Sequence, residues 1–245
     1  MTLINGDCIE EMRKLRDNSI DLCLTDPPYG TTACKWDSVI PFHPMWAELK
    51  RIVKPNGAIC LFGSEPFSSA LRMSNIKMFK YDWIWLKNKH DGFLNAKKQP
   101  LRENEIVSIF NAKNYFPQFI KVAPFKHKKT ATGVKSNTHG KIKKDKPEYE
   151  MRDYKYPTNV LTFDKPSNKD RLHPTQKPVP LLEYLIKTYT LEGETVLDFT
   201  MGSGSTGVAA KNLNRKFIGI ELDEKYYITA CERINDSEPE WLRSD

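Results

Sequence analysis

Thr195-Val196-Leu197-Asp198-Phe199-Thr200-Met201-Gly202-Ser203-Gly204-Ser205-Thr206-Gly207 is the stretch on which the fold turns. Its apolar opening reads as a buried strand, its glycines as a tight turn, and the following GVAAKNL as a helix. Outward from it, PLLEYLIKTYT has helical spacing, FIGIEL reads as a second buried strand and EKYYITACERI as the last helix. The first half alternates in the same way. INGDC is a short strand before IEEMRKLRD, and IDLCLT is an apolar strand stopped by Asp26-Pro27-Pro28. MWAELKRIV is a helix ended by the turn Lys54-Pro55-Asn56-Gly57, followed by the strand AICLFG and the helix FSSALRMSN. This alternation predicts an α/β fold with a doubly wound, mostly parallel, Rossmann-like sheet. YDWIWLK and EIVSIFNA lack a helix between them, so an antiparallel strand pair is expected at the sheet edge.

The chain has 245 residues, 38 Lys+Arg and 31 Asp+Glu, a formal net charge of +7 and 39% apolar residues. Such a chain can bury a large core and is neither disordered nor membrane-spanning in composition. It carries no ~20-residue apolar run and no signal-peptide pattern at its start, so a cytoplasmic protein is expected. The five cysteines contain no C-x-x-C pair, and neither a disulfide framework nor a metal site is expected. The charge is concentrated: residues 112–170 hold 14 Lys+Arg and 6 Asp+Glu, a surplus of +8, which leaves −1 for the remainder. A basic segment on a nearly neutral body points to a polyanionic partner, nucleic acid first, against the alternative of a solvated lysine-rich loop. Periodicity fades over the same residues, so the expected organisation is one domain, 1–111 with 171–245, split around an insertion at 112–170.

A buried strand entering a glycine turn that opens a helix lets a ligand approach the backbone. Glu221 ends the next strand, where an acid can accept both hydroxyls of a ribose. Gly202, Gly204 and Gly207 satisfy G-x-G-x-x-G, which keeps a dinucleotide in play. Asp198, however, sits badly beside a pyrophosphate and suits a cationic ligand such as the methionine part of S-adenosylmethionine. Asp26-Pro27-Pro28-Tyr29 follows a buried strand at the end where open α/β sheets bind ligands. The carboxylate of Asp26 and the carbonyl of Pro27 form a double acceptor for an –NH₂ group, with the Tyr29 ring as a stacking surface. Two acceptors favour the pyramidal amine whose lone pair can attack a methyl group. Asp26 need not be a strong base, because the amine proton turns acidic once the nitrogen is methylated.

Asp26-Pro27-Pro28-Tyr29-Gly30, then His173-Pro174-Thr175-Gln176-Lys177-Pro178, then Asp198 with Gly202-Ser203-Gly204, in that order, resemble the β-type amino DNA methyltransferases. The resemblance covers all but residues 112–170, which would be the target-recognition region. It implies methyl transfer from S-adenosylmethionine to the N6 amine of adenine in double-stranded DNA, with base flipping. Methylation of cytosine N4, and then of RNA or a protein glutamine, are the alternatives. It assigns Asp26, Pro27, Pro28 and Tyr29 to catalysis. To the cofactor it assigns Asp198, Gly202 and Gly204 in the loop, Glu221 at the ribose, Asp7 near the adenine, and Thr175 and Lys177 at the methionine carboxylate. The family usually has an aromatic residue third in the cofactor motif, where this chain has Thr200, with Phe199 one place earlier. A homodimer, a companion restriction endonuclease and a bacterial or phage source fit the resemblance. A nicotinamide-dependent oxidoreductase leaves Asp26–Tyr29 unexplained, and a non-catalytic DNA-binding module leaves the glycine loop without a role.

With the resemblance, Lys126, Lys128, Lys129, Lys135, Lys141, Lys143 and Lys144 read as phosphate contacts that position a duplex without specifying sequence. The interleaved aromatics read equally as wedges or as a local core. Lys87, Asn88 and Lys89, at a strand end, read as polar turn residues in preference to a lining of the target pocket, and Trp36 as the tryptophan nearest the catalytic loop.

Overall fold

A computed structural model describes residues 1–31, 37–128, 149–167, 172–173 and 175–237. The chain divides into two compact units, Met1–Phe116 with Asn159–Asp245, and Pro117–Thr158. The strands are β1 (Thr2–Asn5), β2 (Ile20–Thr25), β3 (Val53–Gly63), β4 (Phe79–Asp91), β5 (Arg102–Asn111), β6 (Ile120–Lys128), β7 (Tyr149–Lys155), β8 (Val160–Thr162), β9 (Thr195–Asp198) and β10 (Lys216–Glu221). The α-helices are α1 (Cys8–Lys14), α2 (Phe42–Ile52), α3 (Phe67–Ser74), α4 (Val179–Tyr189), α5 (Ser205–Asn212) and α6 (Glu224–Asp236).

In the larger unit eight strands form one sheet, in the order β1-β10-β9-β2-β3-β5-β4-β8. Every residue of β2 is buried, which is why IDLCLT is apolar without alternation. From Leu22 onward its side chains still alternate between two cores. Leu22 and Leu24 join Leu185, Val208 and Ile234 under α4, α5 and α6, whereas Cys23 joins Met12, Trp46 and Leu71 under α1, α2 and α3. The sheet is therefore covered on both faces. From β9 the chain passes through α5 to β10 on one side; from β2 it passes through α2 to β3 on the other. The switch of direction falls between β9 and β2, and open sheets of this kind bind ligands at such a point.

The expected antiparallel pair is present as β4–β5, one strand in from the sheet margin. β5 lies between β3 and β4 and runs antiparallel to both, so it is the sole reversed strand among those described in this sheet, and the sheet margin belongs to β8, parallel to β4. Three residues are too few to show a period, so Leu161, buried in the core, is legible only as part of the insertion. The turn Lys54–Gly57 appears as an excursion at the start of β3: β2 pairs Ile20 with Val53 and then Leu22 with Ala58. The Asn111 amide holds it, donating to the Gly57 carbonyl at 2.9 Å.

The smaller unit is narrower than the 112–170 stretch expected to be inserted, since 112–116 and 159 onward belong to the larger one. It contains the antiparallel pair β6–β7. Phe119 packs edge-on against Tyr154 and Tyr156 at 4.7 and 5.0 Å, so these three aromatics form a local cluster. Lys126 lies in β6 and Lys128 ends it; Lys129, Lys135, Lys141, Lys143 and Lys144 lie outside the described residues, as does Trp36.

Leu197, at the centre of the sheet, is fully buried. Leu197→Ala should cost about 2–5 kcal/mol in urea unfolding, and an unchanged midpoint would contradict this packing.

Candidate active site

β2 and β9 end side by side, and two threonines lace their ends together. The Thr25 hydroxyl donates to Asp198 Oδ1 at 2.8 Å and accepts from the Phe199 amide at 3.0 Å. The Thr200 hydroxyl donates to the Asp26 carbonyl at 3.1 Å. Thr200 therefore joins the two loops from the place where the family usually has an aromatic, and Phe199 takes the apolar role, buried in the core. Asp198 is itself almost fully buried and also accepts from the Thr206 hydroxyl at 2.6 Å and the Thr200 amide at 3.2 Å. Burial raises its carboxyl to about 6 against the opposing hydroxyls.

The loop after β2 is shaped by Asp37, which no motif announced. Its carboxylate accepts from the amides of Tyr29, Gly30 and Thr31 at 2.7, 2.9 and 2.9 Å. The Tyr29 ring stacks on Phe67 with centroids 5.0 Å apart, and its hydroxyl donates to Asp26 Oδ1. The other carboxylate oxygen, Oδ2, accepts from Lys177 Nζ at 2.5 Å. Lys177 also meets Glu105 Oε2 at 3.1 Å and lies over the Phe62 ring at 5.1 Å. The lysine that the resemblance assigns to the methionine carboxylate is thus held on two carboxylates of the protein. Burial raises the Asp26 carboxyl against the pull of Lys177. Burial would lower Lys177, but Asp26 and Glu105 outweigh it and hold the ammonium above its ordinary range. Lys87, expected in a turn, is a buried residue of β4, paired with Glu105 at 3.1 Å and with Asp91.

A cavity of about 760 Å³ joins this corner to the glycine loop. Asp7, Asp26, Pro27, Pro28, Tyr29, Thr175, Lys177, Asp198, Gly202 and Glu221 all line it. Gly204 stands behind the lining. Its φ of +76° is a left-handed conformation that favours glycine, and a Cβ there would lie 3.0 Å from Ala230 and Ile234. Asp7 caps α1, accepting from the amides of Ile9 and Glu10 at 2.9 and 3.1 Å. Glu221 accepts from the Gly202 amide at 2.8 Å and the Asp223 amide at 2.9 Å. The Gly202 amide is one a pyrophosphate would need, and here a carboxylate occupies it. Among the described lining residues Lys177 is the one lysine or arginine, against seven acids. Such a cavity repels a pyrophosphate and suits a cationic, ribose-bearing ligand. The Arg233 guanidinium braces the loop from α6, meeting the Ser203 carbonyl at 3.1 Å and the Ser205 hydroxyl at 2.9 Å.

His173 packs edge-on against Tyr226 at 4.2 Å, and burial, with Lys177 assisting, lowers its ring to about 4 from 6.5. Between those values the unfolded chain holds a proton that the folded ring rejects, so His173 costs stability as pH falls through the window. Relative to His173→Asn, the wild type should lose melting temperature from pH 6.5 towards 4. Parallel curves would contradict the assignment.

Residues 20–232 match the profile of the DNA methylase family of N6- and N4-methyltransferases. The chain is 32% identical over 253 residues to the type II methyltransferase M.HpaI of Haemophilus parainfluenzae, across 96% of this chain and 74% of that one. Among solved structures, the complex of M1.HpyAVI with SAM superposes with a TM-score of 0.64 at 26% identity, covering 96% of this chain and 98% of the other. The cytosine-N4-specific PvuII DNA methyltransferase shares the fold, with a TM-score of 0.63 at 17% identity over 95% and 89% of the two chains. The nicotinamide-dependent reading falls with these findings. Laced loops at the sheet's switch point, an acidic ligand cavity and a family match across most of the chain agree: this protein belongs to the S-adenosylmethionine-dependent amino DNA methyltransferases that act on adenine N6 or cytosine N4.

Proposed function

We propose that the chain methylates the N6 amine of adenine in double-stranded DNA. The observation that carries this reading is the single cavity with Asp26 and Tyr29 at one side and Asp7, Gly202 and Glu221 at the other. When bound, S-adenosylmethionine supplies an electrophilic methyl group on a sulfonium. Glu221 and Asp7 would hold its ribose and adenine ends, and Thr175 the methionine end.

Asp26 and the Pro27 carbonyl accept the two amine hydrogens, which frees the nitrogen lone pair. Asp26 then takes the proton released by the methylated nitrogen, and the adjacent Lys177 ammonium stabilises the charged carboxylate. Tyr29, fixed by Phe67 on one side and bonded to Asp26, offers its ring to a base taken out of the duplex. Asp as the first residue of the tetrapeptide favours adenine over cytosine. The smaller unit and the lysines from 126 to 144 would supply the phosphate contacts that position the duplex, and type II modification beside an endonuclease, with a homodimer, is the matching context.

Incubation with mixed-sequence duplex DNA and S-adenosylmethionine, followed by nucleoside mass spectrometry, should give N6-methyladenine that disappears in Asp26→Ala. N4-methylcytosine would replace the target base in this reading, and an active Asp26→Ala would overturn it. The triple variant Lys141→Ala, Lys143→Ala, Lys144→Ala should flatten the dependence of log K on log salt by about 3, near 0.9 for each phosphate no longer neutralised. An unchanged slope would remove these lysines from the DNA interface.

A further inference from the structure

Beneath Asp26 runs a line of charges that alternates in sign: Asp26, Lys177, Glu105, Lys87, Asp91, Lys165. Lys177 lies 2.5 Å from Asp26 and 3.1 Å from Glu105; Lys87 lies 3.1 Å from Glu105 and also touches Asp91, which Lys165 meets at 2.6 Å. The middle of the line is closed to water, with side-chain exposures of 8% for Lys177, 14% for Glu105 and 0% for Lys87. Such ions persist in a protein interior only when each has a partner.

The placement is built into the sheet. Glu105 pairs with Trp85 across β4 and β5, and Lys87 lies two residues beyond Trp85 on the same face of β4. The reversed strand β5 is thus what brings a carboxylate to the end of the sheet where Lys177 descends. A lone Asp–Lys pair has freedom to turn as a unit, and the Thr175 carbonyl, 3.5 Å from Nζ, offers the lysine another acceptor. A second carboxylate on the far side fixes the ammonium between the two. Lys87 keeps Glu105 charged, so that Glu105 and Asp26 do not share a proton over one lysine. Burial alone would raise Glu105, but Lys177 and Lys87 outweigh it and hold the group below its ordinary value.

We propose that Glu105 is a positioning residue for methyl transfer, holding the ammonium of Lys177 against Oδ2 of Asp26 so that this carboxylate meets the amine in one ionised orientation. Lys87 balances Glu105 and acts through it. The proposal rests on the catalytic reading of Asp26.

The test is single-turnover methylation of saturating mixed-sequence duplex DNA by Glu105→Gln, with DNA and S-adenosylmethionine affinities measured separately. The rate constant should fall on the order of 10²-fold, the scale of a displaced catalytic group, while both affinities stay at wild-type values. The pair Lys87→Met, Glu105→Gln removes one buried cation and one buried anion together. It should fold with a melting temperature near that of the wild type and show the same rate loss as Glu105→Gln. Wild-type rates in both variants, with Asp26→Ala inactive, would overturn the role of Glu105 and leave that of Asp26 standing. A loss confined to either affinity would overturn it equally. Activity in Asp26→Ala would instead overturn the catalytic reading itself.

Discussion

The hydrogen bond from Thr25 to Asp198 ties together the two strand ends on which the site depends. β2 and β9 are neighbours whose chains leave in opposite directions, so the loops after them diverge unless something fixes their roots. Thr25 does this with a single hydroxyl that donates to Asp198 and accepts from Phe199, and Thr200 repeats the link from the other side. The glycine loop and the Asp26–Tyr29 loop, 172 residues apart between Asp26 and Asp198, become two walls of one cavity. The cost is a buried carboxylate at Asp198, which its hydroxyl and amide donors keep tolerable.

Electrostatics divides that cavity into two regions. Towards Glu221 and Asp7 the walls are acidic, and Glu221 occupies the Gly202 amide that would otherwise attract a phosphate. Glycine loops after a strand are widely associated with pyrophosphate, but here the side chains around the loop reverse its preference. Towards Asp26 the charges alternate and cancel, so its carboxylate sits in a balanced environment despite its burial. The two regions correspond to the two demands of the reaction, a cationic donor and a neutral amine.

Much of this is legible in the sequence because it follows from local rules. The apolar runs of β2, β9 and β10 mark strands buried on both faces, and the prolines after Asp26 and the glycines after Asp198 mark where they stop. The residues that escape such rules act across distance. Asp37 gathers three amides of the catalytic loop from eight residues beyond Tyr29, and Arg233 reaches the glycine loop from the last helix. Glu105 and Lys87 belong to strands whose register brings them together, and a charged pair at a strand end reads as a solvated turn until that register is known. β8 escapes because three residues carry no period. Gly204, a ligand residue by resemblance, also has a positive φ and packs close to Ala230, which the sequence does not announce.

If one cavity holds the methyl donor and presents it to an amine at Asp26, a crystal structure of the protein with S-adenosylhomocysteine should show it. The ribose hydroxyls should lie on Glu221, the adenine near Asp7 and the thioether sulfur turned towards Asp26 and Tyr29. A ligand bound with its ribose away from Glu221, or with its sulfur screened from Asp26, would contradict it.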